Sequence, residues 1–230
     1  MPETHPTSFA RASSALIAVL AEHADGWIVD KPAGVPVDRP RDGSATLSDL
    51  LARQGLGRAE RLLPAHRLDR DTSGCLLIAR TRGALKRWGA AFEAGAVDKR
   101  YLALVEGVVA QGDGVIDLAL SKRSSAAAGW RMVPDPAGAR ALTRWRRVAV
   151  EGARTLLELR PETGRTHQLR VHCASGLGHP IVGDPVYGEA HPAGMMLHAA
   201  ELVVTIEGET RLAAVAPFPA RFAALGFAAS

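Results

Sequence analysis

The apolar positions of this chain recur mostly with the two-residue period of a strand and only locally with the period of a helix. Short apolar runs at 16–21, 27–29 and 75–79 are bounded by turn formers and read as strands. The first two, separated by Ala24-Asp25-Gly26, fit two strands joined by a turn, with a short helix over 14–22 as the alternative. Alternation is clear over 98–107, where Tyr101 shares a face with Ala103 and Val105. Another strand is expected near 114–119. Residues 143–150 and 154–160 alternate on either side of Glu151-Gly152, a hairpin signal. Met195 to Ala199 open a further strand, with a hairpin around Glu207-Gly208.

Helical spacing is confined to four places. Thr46 can cap a helix that carries Leu47, Leu50 and Leu51 on one face and ends near Gly55. The spacing predicts a second helix over about 82–94, burying Leu85, Trp88 and Phe92 and stopping at Gly95. Thr166 can cap a third that runs to about Ala174 before Gly176, and a short one is expected over 219–226. Residues 1–13, rich in Pro, Ser and Thr, read as a flexible tail, and the segment beyond 121 as a mobile loop. These elements make an α+β protein with one domain over 14–230.

Composition narrows the class without naming the chemistry. At 230 residues, 47% hydrophobic and 23% charged, the chain can bury one substantial core. Its net charge of +4, carried largely by arginine, suggests a polyanionic partner only mildly. Cys75 and Cys173 lie in apolar surroundings without metal or redox spacing, so buried free thiols in a reducing compartment are expected. No apolar run approaches the roughly 20 residues of a membrane span, and no secretory signal is present, which points to the cytoplasm.

Candidate chemistry concentrates in residues 66–74, a loop feeding the apolar strand at 75–79. Asp69 has Arg67 and Arg70 as near neighbours in sequence, and cations so placed would keep its carboxylate ionised. Asp71, Thr72 and Ser73 look like capping groups, and Gly74 permits a tight bend. Arg58, Arg61, Arg67 and Arg70 form the densest local run of cations for phosphate contacts. On these residues alone, a catalytic loop and a capped turn with a surface ion pair both stand. A hydrolase built on Ser73 and His66 has little support, because no nucleophile elbow surrounds the serine. Lys31 is held out by the stiff Pro32-Ala33-Gly34-Val35-Pro36 segment, as a solvated or a functional lysine. In the stretch 162–172, Arg170 lies one helical turn from His167 and from Ala174. His167 and His172 are five residues apart and diverge on a helix or a strand, so polar packing suits them better than a metal.

Residues His66-Arg67-Leu68-Asp69, followed after two open positions by Thr72-Ser73-Gly74, resemble the signature loop of the RluA-type family of RNA pseudouridine synthases. The resemblance implies that Asp69 is the catalytic nucleophile, that Arg67 enters the RNA stack vacated by the target base, and that His66 lies beside the substrate. Val29 to Val37 resemble the family's first motif, which implies a place near the substrate cleft for Lys31; the family commonly carries His where this chain has Asp38. Lys99-x-Tyr101-x-Ala103-x-Val105-x-Gly107 resembles the second motif, whose tyrosine stacks on the base and is implicated in proton transfer at C5. Gly164-Arg165-Thr166-His167-Gln168-Leu169-Arg170 resembles the third, in which the second arginine ion-pairs with the aspartate. By that match Arg170 is the partner of Asp69, Arg165 contacts RNA or supports the loop, Leu197 lines the uracil pocket and Asp184 is structural.

The matching segments run in family order from about 16 to 225, without the small N-terminal RNA-binding domain that some relatives carry. What the resemblance implies is a mixed, mostly antiparallel central sheet flanked by helices and loops, with the active-site cleft across it. It also implies isomerisation of specific uridines in ribosomal or transfer RNA by base flipping, with structured RNA as partner and neither cofactor nor metal. A monomer is the expected state. The alternative is an RNA-binding protein of the same fold that has lost catalysis, in which the Asp, Tyr and Arg set should be degraded; all three are present.

Overall fold

A computed structural model describes residues 16–125, 129–206 and 210–228. The expected tail at 1–13 and the turn at 207–208 lie outside the described residues. The strands are β1 (Val19–His23), β2 (Gly26–Lys31), β3 (Leu63–Pro64), β4 (Ser73–Ala79), β5 (Val97–Glu106), β6 (Asp113–Asp117), β7 (Leu120–Ser125), β8 (Gly129–Pro134), β9 (Leu142–Glu151), β10 (Arg154–Pro161), β11 (Leu197–Ile206) and β12 (Thr210–Val215). The helices are α1 (Leu47–Arg53), α2 (Arg82–Glu93), α3 (Gln168–Val171) and α4 (Ala220–Ala223). Ten strands form one sheet in the order β1-β2-β4-β11-β5-β10-β9-β6, with β12 also on β11 and β3 also on β4. Of these pairings only β4 with β11 is parallel, so the sheet is mixed and largely antiparallel, and the fold is α+β.

All seven residues of β4 are buried, which explains why it reads as an apolar run rather than an alternating one. One face packs with Ala84 and Trp88 of α2, the other with Leu47 and Leu51 of α1. α1 starts from a reciprocal capping box, with Thr46 accepting from the Asp49 amide and Asp49 accepting from that of Thr46. α2 is capped by Thr81 and buries Ala84, Trp88 and Ala91; Leu85 and Phe92 are only half-buried, which leaves Phe92 available to a cleft wall. Cys75 and Cys173 are free and buried.

Three local expectations are corrected. The segment beyond 121 is not all loop: β7 and β8 pair as a two-stranded antiparallel sheet that polar composition had hidden, and 126–128 lie outside the described residues. Gly74 does not make a bend. It lies inside β4, and a Cβ there would stand 2.2 Å from the Ala199 carbonyl oxygen, so the close approach of β4 to β11 requires glycine. Thr166 caps nothing. α3 begins after His167, and the Gln168 side chain organises the turn, its Oε1 accepting from Thr163 Oγ1 (2.8 Å) and the Arg165 amide (3.0 Å). α3 is four residues long and opens into a π-type turn over His172–Gly176.

Candidate active site

The central strands bring together residues that are far apart in sequence. In register, His198 stands beside Ser73 and Ala199 beside Gly74, while Tyr101 on β5 faces Ala199 on one side and Leu159 of β10 on the other. The 65–72 loop therefore arrives over Tyr101 and Leu197, and the turn after β10 delivers α3 to the same place. The result is a cleft of about 620 Å³, a size that accommodates a small ligand. His66, Arg67, Asp69, Tyr101, Arg165, Arg170 and Leu197 all line it, together with Phe92, Lys99 and His167.

Among the described residues Asp69 meets one guanidinium, and it is not that of a sequence neighbour. Arg170 Nη1 donates to Asp69 Oδ2 at 3.0 Å, while Nε and Nη2 donate to Asp184 Oδ2 and Oδ1, each at 2.7 Å. Asp184 is fully buried and also accepts from the amides of Val186 and Tyr187. Burial alone would raise the Asp184 pKa, but Arg170 and these amides hold it below the usual carboxylate range. Burial would likewise lower that of Arg170, and the carboxylates, Asp184 foremost, raise it instead. Asp184 thus does more than shape its loop: it locks the guanidinium that meets Asp69. Its spacing of fourteen residues from Arg170 carries no signal for that pairing.

Arg67 and Arg70 turn away from Asp69, contrary to their sequence proximity. Arg67 Nη2 pairs with Asp38 Oδ2 at 2.9 Å on the open rim. Arg70 lashes the loop to the 34–44 segment, donating to the Gly34 carbonyl (3.1 Å), Asp42 (3.0 Å) and Ser44 Oγ (2.8 Å). Arg58 and Arg61 are exposed outside the cleft lining.

Lys31 is the largest departure from expectation. It is fully buried rather than displayed, and its Nζ donates to the carbonyls of Pro32 (2.9 Å), Val35 (2.7 Å) and Arg70 (2.8 Å). Burial pulls its pKa down to about 7, opposed by Asp71 and Asp69, and the three acceptors match the three N–H bonds of the ammonium form. It pins the loop from beneath and does not reach the cleft lining.

His66 forms cleft wall rather than a reactive group. Its Nε2 accepts from the Leu77 amide at 3.1 Å, its ring packs 4.8 Å from Phe92, and burial lowers its pKa to about 3. Tyr101 is half-buried in the cleft, and burial, with Asp69 second, raises its phenol pKa, so it is neutral at neutral pH. Arg165 is exposed at the rim, with Nε donating to the Arg140 carbonyl. Ser73 pairs with a histidine other than His66: its Oγ lies 2.8 Å from His198 Nδ1 and accepts from Arg221 at 2.7 Å. Ser73 and His198 are buried, which removes the hydrolase reading.

Among the described residues no cluster of three or more His, Cys, Asp or Glu side chains could hold a metal, and no helix is long and apolar enough to cross a membrane.

Residues 25–175 match the family model of RNA pseudouridylate synthases. An uncharacterized RNA pseudouridine synthase of Zymomonas mobilis is 49% identical over 212 residues, covering 91% of this chain and 97% of its own. The ribosomal large subunit pseudouridine synthase D of the same organism is 38% identical over 174 residues, covering 72% of this chain; the match takes in 54% of that enzyme, so the chain spans about half its length. Among solved structures, human RNA pseudouridylate synthase domain containing 1 superposes with a TM-score of 0.75 at 30% identity, covering 91% of this chain and 87% of that one. A mixed sheet with a carboxylate-bearing loop over its centre, matched along most of its length, defines the class: the chain belongs to the RNA pseudouridine synthases of the RluA type. It is an isomerase that acts on RNA.

Proposed function

We propose that the enzyme isomerises a uridine in structured ribosomal or transfer RNA, with Asp69 as the catalytic carboxylate acting on a base flipped into the cleft. The observation that carries this is the single line from Asp69 through Arg170 to Asp184, at 3.0 and 2.7 Å, with the Asp69 side chain 28% exposed to the cleft. An ionised carboxylate open to substrate on one side and fixed on the other is what the reaction needs. In the isomerisation the bond from the sugar to N1 breaks, the base rotates, and a bond from the sugar to C5 forms. C5 loses its proton and N1 gains one, so no redox partner or phosphate donor enters the balance. Asp69 serves either by attacking the sugar or by removing a sugar proton.

Extrusion of the base costs a few kcal/mol and leaves a gap in the stack. Arg67, on the open rim with its side chain 74% exposed, is placed to swing into that gap. Tyr101 and Leu197 offer an aromatic face and an apolar face to the uracil, and Arg165 is available to phosphate. The neutral phenol of Tyr101 suits stacking, since accepting the C5 proton requires the ionised form that burial disfavours. One chain supplies every group, so a monomer suffices. The free buried thiols suit a reducing compartment such as the cytoplasm.

Release of tritium from RNA labelled at uridine C5, prepared from host cells lacking the protein, tests the reading. Wild type should release label and Asp69→Asn should release none above background. Release that survives in Asp69→Asn would remove Asp69 from the chemistry, and no release by wild type from any cellular RNA would favour a binding protein. Comparing pseudouridine maps with and without the protein identifies the RNA.

A further inference from the structure

We propose that His167 is a positioning residue for Asp69, presenting Nε2–H to the carboxylate in a tautomer that Tyr187 selects. This rests on the assignment of Asp69 above. His167 is the one non-glycine residue among the described residues with positive φ, at 53°, a conformation uncommon for side chains with a Cβ. Such backbone persists where the side chain's contacts determine it. Here two residues hold the ring through three contacts. Trp130 of β8 packs against its face at 4.9 Å, Tyr187 meets it edge-on at 5.6 Å, and Nδ1 lies 2.9 Å from the Tyr187 hydroxyl.

The hydroxyl biases which nitrogen carries the proton. Tyr187 Oη accepts from the Met132 amide at 2.9 Å, and among the described residues the acceptor within reach of its own proton is His167 Nδ1. Nδ1 then accepts, and Nε2 carries the hydrogen. Nε2 stands 3.9 Å from Asp69 Oδ2. That is too long for a hydrogen bond, and contacts of this kind tighten when substrate closes the site. Arg170 also binds Oδ2, so among the described residues both partners converge on one oxygen. Oδ1 is left to face the nucleotide. Burial keeps the imidazole neutral, against the opposing pull of Asp69, so it donates without adding a charge beside Arg170.

Single-turnover tritium release from the same labelled RNA, with enzyme in excess, separates positioning from packing. His167→Phe keeps an aromatic ring for Trp130 but has no donor. Its maximal rate should fall about tenfold, the lower end for a hydrogen bond to a charged group, with the half-saturating enzyme concentration unchanged. Loss of a donor to the ionised form also moves the acid limb of the pH–rate profile to higher pH. The charged and titratable groups that face Asp69 and His167, namely Arg170, Lys31, Tyr101, Arg67, Asp184 and Tyr187, are unaltered in His167→Phe. His167→Gln, whose amide nitrogen can stand where Nε2 stands, should recover most of the rate. Tyr187→Phe leaves the imidazole in place but frees its tautomer; it should fall between the two, and it keeps the test usable if His167 variants do not fold.

His167→Phe and His167→Gln equally slow with an unmoved acid limb would reduce His167 to packing and overturn the proposal. Both at the wild-type rate, beside an inactive Asp69→Asn, would overturn it while leaving the Asp69 reading intact. An active Asp69→Asn would overturn both.

Discussion

Arg170 and Arg67 each reach a carboxylate at almost the same distance, 3.0 Å to Asp69 and 2.9 Å to Asp38. Their side chains are 7% and 74% exposed. In the interior the effective dielectric is low, so a charge must be matched and a matched charge is held; at the rim, water and salt dissolve most of the attraction. The interior pair fixes geometry, and the rim pair is open to exchange, as the role proposed for Arg67 toward RNA requires. Distance alone would have ranked the two as equals.

Neutralising Asp184 should break the interior half of this contrast with the largest effect. Asp184→Asn keeps the shape but leaves the buried Arg170 with one carboxylate in place of two. Removing a partner from a buried ion pair costs about 3–5 kcal/mol, measurable by urea unfolding. The rate of tritium release should fall as well, because the guanidinium that aims Asp69 loses its anchor. An Asp184→Asn protein as stable and as fast as wild type would show that Arg170 is held by something else.

Lys31 sharpens the same point from below the loop. Lys31→Met fills the space but strands the carbonyls of Pro32 and Val35 and leaves that of Arg70 with the Gly34 amide alone, all three now accepting from Nζ. Unsatisfied buried polar groups cost about 1–3 kcal/mol each, so a loss of about 3 kcal/mol is expected after partial relaxation. The Arg70 carbonyl follows Asp69 directly in the loop, so the maximal rate should fall more than the affinity for RNA. A change confined to affinity would instead restore the substrate contact that the motif implied.

Lys31 also marks where the sequence stops speaking. Its motif was legible, but nothing in the spacing reports that carbonyls 32, 35 and 70 converge on one nitrogen. The strands on either side of Glu151-Gly152 were legible because period-two alternation is a local signal, and so was β4, whose two buried faces make a continuous apolar run. β7 and β8 were not: among the described residues Leu120 is their one fully buried side chain, and they are anchored by contacts such as the Met132 amide on Tyr187 Oη. The motifs picked out Asp69, Tyr101, Arg170 and Leu197, which the fold brings to one cleft. The pairing of Arg170 with Asp184 and the tautomer of His167 could not, since both depend on chain returning from a distant loop.

Acid should act on the buried polar groups before it acts on the rim. His198, 2% exposed, has its pKa lowered to about 4, by burial first and then by Arg221. Since the unfolded value is near 6.5, the unfolded chain binds more protons below that pH. Stability from this group is therefore complete above about pH 6.5 and drains away as pH falls toward 4, by about 3 kcal/mol. His198→Asn retains an acceptor for Ser73 Oγ and does not titrate. Its thermal midpoint should be lower at pH 7 but fall less steeply between pH 6.5 and 4 than that of wild type. Parallel slopes would mean that His198 is charged in the folded protein.

The smallest effect belongs to Asp38→Asn, the rim half of the contrast. An exposed ion pair contributes at most about 1 kcal/mol, so urea unfolding should scarcely change. RNA binding should move the other way: with Arg67 no longer shared with Asp38, the half-saturating enzyme concentration at low salt should drop about two- to threefold. That gain should shrink as salt rises, because screening weakens the Asp38 pair and the phosphate contact together. A loss of stability as large as that of Asp184→Asn would erase the distinction between the two arginines. A gain in affinity indifferent to salt would mean that Asp38 opposes RNA by shape rather than by charge.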